Sequence, residues 1–277
     1  MSLPTLEKHP LNTATAPIEI GHVVLTVRDL AGVGDYYRDV VGLEPIAEDG
    51  ETRRFGAAGR TLVELRRDGA ARIAPRGEAG LFHTAFLLPS RADLGRWLSR
   101  IADRQIPVQG ASDHLVSEAV YLTDPEGNGI EVYADRDRDR ADWPRGPQGI
   151  AMATEPMDVQ GVLAAGRGGW KGLPAATVVG HVHLKVGDLG QTEEFFGTTM
   201  GLELTTRYPG ANFWGWGGYH HHLATNIWQT RGAGTRQHGL TGLAEVVLLA
   251  EAPEAARLGA RPLVDPWGTV FSVAPKA

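Results

Sequence analysis

GHVVLTVRDL at residues 21–30 returns at residues 180–189 as GHVHLKVGDL, with seven of the ten positions identical. The register continues without a gap. Tyr36-Tyr37 and Gly42-Leu43-Glu44 stand 159 positions before Phe195-Phe196 and Gly201-Leu202-Glu203. A fixed offset over this length marks a tandem duplication. In the first copy an apolar strand at 18–27 leads through Arg28-Asp29-Leu30 into a helical stretch at 33–41, which Gly42 closes as a C-cap.

Working outward, a second unit follows. LFHTAFLL (81–88) reads as a strand. Pro89-Ser90 opens a helix over 91–105, with Leu94, Trp97, Leu98 and Ile101 at i, i+3, i+4, i+7 spacing. Residues 113–133, DHLVSEAVYLTDPEGNGIEVY, close the unit as a β-hairpin. In its turn, residues 124–129, Pro presets one backbone angle and Asn-Gly tolerates positive φ. Strand parity sets Ile130 and Val132 on one face and Glu131 on the other. In the second half LAEVVLLA (243–250) takes the place of the His83 strand, with Glu245 opposite His83. Asp265-Pro266-Trp267-Gly268 replaces Asp124-Pro125-Glu126-Gly127, and Ser272 sits where Glu131 was. Nothing in the second half matches residues 113–121.

The expected organisation is therefore α+β, with two tandem domains. Each contains paired βαβββ modules forming an open, barrel-like mixed sheet. The first spans 18–135 and carries the complete site. The second spans 178–277 and is degenerate, with a shortened last module. The intervening stretch, 136–177, reads as a linker that begins with the solvated charge run RDRDR at 136–140; residues 152–163 are candidates to pack across the domains. Residues 1–17 read as an extended polar arm.

Composition narrows the chemistry. The chain has 277 residues, 42% of them hydrophobic, a net charge of −6 and a pI near 5.9. No basic stripe suggests nucleic acid or an anionic membrane as partner, no apolar run is long enough for a membrane span, and no signal-peptide pattern opens the chain. A cytoplasmic protein is the expectation. With no cysteine and ten histidines, a metal would have to be held by His, Asp or Glu.

Four polar residues recur at matching places. His22 and His83 lie on the first strand of each unit in the first half, and Glu64 and Glu131 on the last. Two such units facing each other would direct all four to one centre. Two histidines and a carboxylate suit a divalent first-row metal with positions open for substrate and dioxygen. Glu64, in LVELRRD, could equally belong to an outward charged face.

The GHVxLxVxDL opening, the His83 strand and DPEGNGIEVY resemble the vicinal-oxygen-chelate superfamily. That group contains glyoxalase I, bleomycin- and fosfomycin-resistance proteins and extradiol ring-cleaving dioxygenases. The two-domain organisation, DHLVSEAVYLTDPEGNGIEVYADR and GGYHHHLATN look most like catechol 2,3-dioxygenase-type proteins. The resemblance implies paired βαβββ modules and a metal on His22, His83 and Glu131, with Glu64 a further candidate ligand. It also implies His114 as a proton-transfer group and Tyr121 as a hydrogen-bond donor to substrate.

Two features depart from the dioxygenase pattern. Such enzymes keep their metal triad in the second domain, where this chain has His181 but Glu245 and Ser272 at the other two positions. They also carry an acid/base histidine where the first half has Glu64 and the second half His220-His221-His222. A one-residue slip reverses the strand face, so which of these three points inward stays open. His181, His222 and Glu245 form a candidate second site.

The reading is a ring-cleaving dioxygenase using Fe(II), with Mn, Zn or Ni as alternatives, that acts on a catechol-like diol with dioxygen; it could be a homo-oligomer. Its rivals are a glyoxalase-like lyase or isomerase on a redox-inert metal, with Glu64 as ligand or base, and a non-catalytic drug-binding resistance protein whose cavity Trp214, Trp216 and Trp228 would line.

Overall fold

The computed structural model describes residues 16–136 and 143–276. Residues 1–15 of the expected arm and 137–140 of the charge run lie outside the described residues. The first module runs β1 (Ile18–Val27), α1 (Leu30–Tyr36), β2 (Glu44–Glu48), β3 (Thr52–Ala57) and β4 (Arg60–Arg67). The second runs β5 (Gly80–Leu88), α2 (Arg91–Asp103), β6 (Gly110–Asp113), β7 (Ser117–Thr123) and β8 (Gly129–Asp135). The connecting stretch contributes β9 (Arg145–Gly146), β10 (Gly149–Ile150), β11 (Glu155–Pro156) and α3 (Val159–Ala165). The third module is β12 (Val178–Lys185), α4 (Leu189–Thr192), β13 (Glu203–Tyr208), β14 (Ala211–Gly215) and β15 (Leu223–Asn226). The fourth is β16 (Gly242–Ala250), α5 (Ala252–Leu258), β17 (Leu263–Val264) and β18 (Val270–Pro275).

The repeated sequence makes repeated local structure. The aspartate of each Asp-Leu pair caps its helix: Asp29 accepts from the Gly32 N–H and Asp188 from that of Gln191. Both helices continue as π-helical turns, Tyr37–Val41 and Glu193–Thr199. Gly42 ends the first with φ at 97°. Ser90 caps α2, whose expected apolar stripe, Leu94, Trp97, Leu98 and Ile101, is buried.

The hairpin forms where expected, but its glycines act differently. Gly127 takes the positive φ, 92°. The Asp124 carboxylate ties the turn by accepting from the Glu126 and Asn128 backbone N–H groups and the Asn128 side-chain amide. Gly129 is needed for space instead: a Cβ there would lie 2.0 Å from the Phe82 carbonyl oxygen.

Module pairing departs from the expectation. The modules of each half do not face each other. One sheet has seven strands in the order β17-β18-β16-β1-β4-β3-β2, so the first module shares it with the fourth. The other has eleven, β11-β6-β7-β8-β5-β12-β15-β14-β13-β10-β9, and joins the second module to the third. The seams are antiparallel pairs of first strands, β1 with β16 and β5 with β12. All four first strands are largely apolar and open a module in the same way, so sequence pattern cannot choose among partners. The stretch read as a linker is part of the fold. β11 extends the larger sheet beside β6 and β10 beside β13, and α3 lies so close to α2 that a Cβ on Gly95 would meet the Val162 carbonyl at 2.1 Å. Among the described residues no helix is long and apolar enough to cross a membrane.

Candidate metal centre

The seam of the larger sheet brings together His83, Glu131 and His181. β5 and β8 run parallel with Ala85 opposite Glu131, and β5 and β12 run antiparallel with Ala85 opposite His181. His83, two residues from Ala85, shares its face by strand parity. The three side chains are buried. His83 Nε2 lies 3.0 Å from Glu131 Oε2, His181 Nε2 lies 3.4 Å from the same oxygen, and the two Nε2 atoms are 3.3 Å apart.

These separations test whether a cation fits. Ligands about 2.0–2.2 Å from one divalent ion stand roughly 3 Å apart along the edges of its coordination polyhedron. Two imidazole nitrogens at this distance can share at most one proton, whereas a cation satisfies all three lone pairs at once. Burial pushes the His181 imidazole down to about 4, against the pull of Glu131, so it offers a lone pair at neutral pH. Burial also opposes the Glu131 charge, but His181 and His83 hold that carboxyl well below its ordinary value. The donor set fits a divalent metal.

Around the cluster is a cavity of about 740 Å³. His114 and Tyr121 line it. The His114 Nδ1 faces the Ala153 carbonyl at 2.6 Å and its Nε2 the Tyr121 hydroxyl at 2.5 Å. A carbonyl only accepts, so Nδ1 carries a proton, and Nε2 shares a hydrogen bond with the Tyr121 hydroxyl. Burial, with Glu131 beside it, raises the Tyr121 phenol well above its ordinary value.

The histidine run is resolved by its hydrogen bonds. His222 Nδ1 accepts from the Trp216 backbone N–H, and His220 Nε2 bonds Asp135 at 2.9 Å. His221 faces the cavity, its ring 4.2 Å from that of His181. Its Nδ1 lies 2.7 Å from His220 Nδ1. His220 Nε2 bonds Asp135 and the two Nδ1 atoms share one hydrogen bond, so His221 turns its Nε2 away from His220. Sequence parity alone could not assign this role. His183, two residues from His181 on the same strand face, also lines the cavity, and the alternation in HVHLK was the available signal for it.

His22 and Glu64 are not brought to this cluster. They lie in the seven-stranded sheet, at the corresponding seam. His22 stands opposite Val247 as His181 stands opposite Ala85, and Val247 stands opposite Ser272 as Ala85 stands opposite Glu131. His22, Glu245 and Ser272 are thus the topological copies of His181, His83 and Glu131. Guanidinium groups occupy that centre: Arg54 and Arg66 each bond the Glu64 carboxylate at 2.6 Å, and Arg66 reaches Glu245 at 3.6 Å. Glu245 also accepts the Ser272 hydroxyl. The set His181, His222 and Glu245 is divided between the two sheets. Of the tryptophans expected around the cavity only Trp228 lines it, while Trp214 and Trp216 are buried in the core.

Comparison with known proteins agrees with this architecture. The family model described as the Glyoxalase/Bleomycin resistance protein/Dioxygenase superfamily matches residues 19–132. A catechol-2,3-dioxygenase of Bacillus subtilis (strain 168) is 39% identical over 230 residues, covering 81% of this chain and 80% of its own. Biphenyl-2,3-diol 1,2-dioxygenase 3 of Rhodococcus globerulus is 30% identical over 133 residues, covering 44% of this chain and 65% of its own. Among solved structures, a candidate dioxygenase from Bacillus subtilis superposes with a TM-score of 0.61 at 17% identity, covering 93% of this chain and 84% of its own. Glyoxalase I from Zea mays superposes at 0.56 and 16% identity, covering 95% and 94%. A relative this similar over four-fifths of both chains, together with the duplicated modules, shows that the chain belongs to the glyoxalase/bleomycin resistance protein/dioxygenase superfamily.

Proposed function

We propose that the protein is an extradiol ring-cleaving dioxygenase that uses Fe(II) and acts on an aromatic vicinal diol. The observation that carries this reading is the convergence of two imidazoles and a single carboxylate at one end of a cavity furnished with proton-holding groups. A 2-His-1-carboxylate set leaves positions open, and bound Fe(II) supplies the one-electron chemistry that brings an electron-rich diol and dioxygen together. Both atoms of dioxygen enter the product as a ring carbon–carbon bond beside the diol breaks, so no external reductant is needed.

The chain's own residues handle protons and position. His221, whose Nδ1 is bonded to His220, faces the cavity with its Nε2 and takes a proton from a diol hydroxyl. Tyr121, kept protonated, hydrogen-bonds a substrate oxygen, and His114, bonded to the Tyr121 hydroxyl, orients it. Phe82 and Phe213 give the ring an apolar wall and exclude water. The single carboxylate also separates this reading from a glyoxalase-like one, because Glu64 is engaged by Arg54 and Arg66 in the other sheet. The deciding experiment loads purified protein anaerobically with Fe(II), Mn(II) or Zn(II) and follows dioxygen uptake with a panel of catechols. Uptake of one dioxygen per catechol consumed, with ring opening, is expected for Fe(II). Absence of uptake with every metal and catechol, in protein shown to bind metal, would overturn the reading.

A further inference from the structure

The cavity is much larger than one ring requires. Its volume of about 740 Å³ lies in the range that accepts drug-sized ligands, and a bare catechol would leave most of it empty. What lines the remainder is ordered along β12. His181, His183 and Lys185 alternate on one face and all border the cavity. Two residues of strand advance about 6.6 Å, so Lys185 stands roughly 13 Å along the strand from the metal-binding histidine.

The middle of this row is aromatic. The His183 ring meets Phe82 at 4.9 Å, Trp228 at 5.6 Å and Phe213 at 5.9 Å. Trp228 is 47% exposed, an uncovered indole at the cavity rim. The far end is cationic. Arg76, Lys185 and Arg236 border it with Glu78, which accepts from the Gln237 backbone N–H, while Glu126, also on the cavity lining, accepts from the Arg28 and Asp29 backbone N–H groups. Among the described residues none of the three cations is in an ion pair. Lys185 Nζ donates to the Arg76 carbonyl at 3.1 Å, and Arg236 donates to the carbonyls of Leu243, Leu240 and Thr241. Burial and the nearby Arg236 depress the Lys185 ammonium, opposed by Glu78, so an anion placed there would relieve a real cost. Three cations beside Glu78, of which Lys185 and Arg236 are tethered to backbone carbonyls, form a site for a negative group.

We propose that this end of the cavity is a specificity subsite, and that the substrates are catechols bearing an aryl substituent that ends in a carboxylate. The diol lies at His83, Glu131 and His181, the second ring lies against His183, Phe82 and Trp228, and the carboxylate meets Lys185 with Arg76 and Arg236. The assignment of the diol end rests on the ring-cleavage reading above; the anionic subsite is tested separately from it.

The kinetic test compares a biphenyl-2,3-diol carrying a carboxylate on its distal ring with the same diol carrying a neutral carboxamide. The Fe(II)-loaded enzyme should favour the carboxylate in kcat/KM by about 10–100-fold, the worth of a hydrogen bond to a charged group. Lys185→Met should abolish most of that ratio and Lys185→Arg should retain it. The surface-exposed Arg76→Gln should lower the ratio in part, which covers the case of a misfolded Lys185 variant. A parallel binding test uses biphenyl-4-carboxylate, which lacks the diol, and follows quenching of tryptophan fluorescence with Trp228→Phe as control. Binding that requires Lys185 supports the subsite even if no catechol is cleaved, which would sink only the ring-cleavage reading. Ring cleavage with equal kcat/KM for carboxylate and carboxamide would overturn the subsite and leave the ring-cleavage reading standing. A carboxylate preference unchanged in Lys185→Met would overturn it as well.

Discussion

Replacing His181 by alanine, beside the matching replacement of His22, asks which of two seams holds the metal. The two histidines sit in the same GHV context 159 residues apart and at the same topological position in their sheets. Local sequence therefore cannot distinguish the variants; only what surrounds each residue can. His181 Nε2 is 3.3 Å from His83 Nε2 and 3.4 Å from Glu131 Oε2, so it is one corner of a three-atom set directed at one point. Losing a partner that merely orients a ligand typically costs about 10–100-fold in metal affinity. Losing a ligand outright should cost at least as much, so His181→Ala should weaken the binding of Fe(II), Mn(II) or Zn(II) by about 100-fold or more. His22→Ala should leave affinity unchanged, because the centre beside it already contains the Arg54 and Arg66 guanidiniums bonded to Glu64. Competition against a chromophoric chelator measures the affinities, elemental analysis the stoichiometry, and circular dichroism the fold. Native metal affinity in His181→Ala, or an emptied site in His22→Ala, would refute the placement of the centre.

Three further outcomes follow from the same geometry. Glu64→Gln should leave metal occupancy unchanged yet lower stability by about 1–3 kcal/mol, because the Arg54 and Arg66 bonds lose their charge; chelator competition and denaturant unfolding check the two halves of this statement. Gly129→Ala would force a Cβ to within 2.0 Å of the Phe82 carbonyl and push apart β5 and β8, which carry His83 and Glu131, so both stability and metal affinity should fall, whereas Gly127→Ala should cost stability through its positive φ and leave the metal largely in place. His181 is held at about 4 in the folded protein against 6.5 in the unfolded chain, so the unfolded chain takes up its proton first as pH falls and the stability His181 contributes above 6.5 is lost toward 4. At 1.36 kcal/mol per pH unit this is about 3 kcal/mol. The metal-free native protein should lose that much more than His181→Ala over this interval; the subtraction cancels Asp124, which burial raises to about 6 and which acts in the opposite sense. Equal slopes for the two proteins in pH-resolved unfolding would refute it.

The sequence by itself determined whatever rests on contacts within a module. The 159-residue offset marked the duplicated module starts, the apolar stripe of α2 its buried face, and Asp124 to Gly129 the hairpin that carries Glu131. These features follow from backbone preference and side-chain periodicity over a few residues. His83, Glu131, His114 and Tyr121 were legible for the same reason, since all four lie in one module. The third member of the cluster was not legible, because it depends on which first strands meet. His22 and His181 present the same motif on the same kind of strand edge, and a backbone edge carries no record of its partner. Tertiary structure joined β5 to β12 and β1 to β16, and so selected His181 and left His22 beside an arginine-filled copy of the site. It decided the histidine run as well. His220, His221 and His222 are indistinguishable as a string, and a one-residue slip would exchange their faces. Asp135 on β8 and the backbone of Trp216 hold the outer two, which leaves His221 facing the cavity.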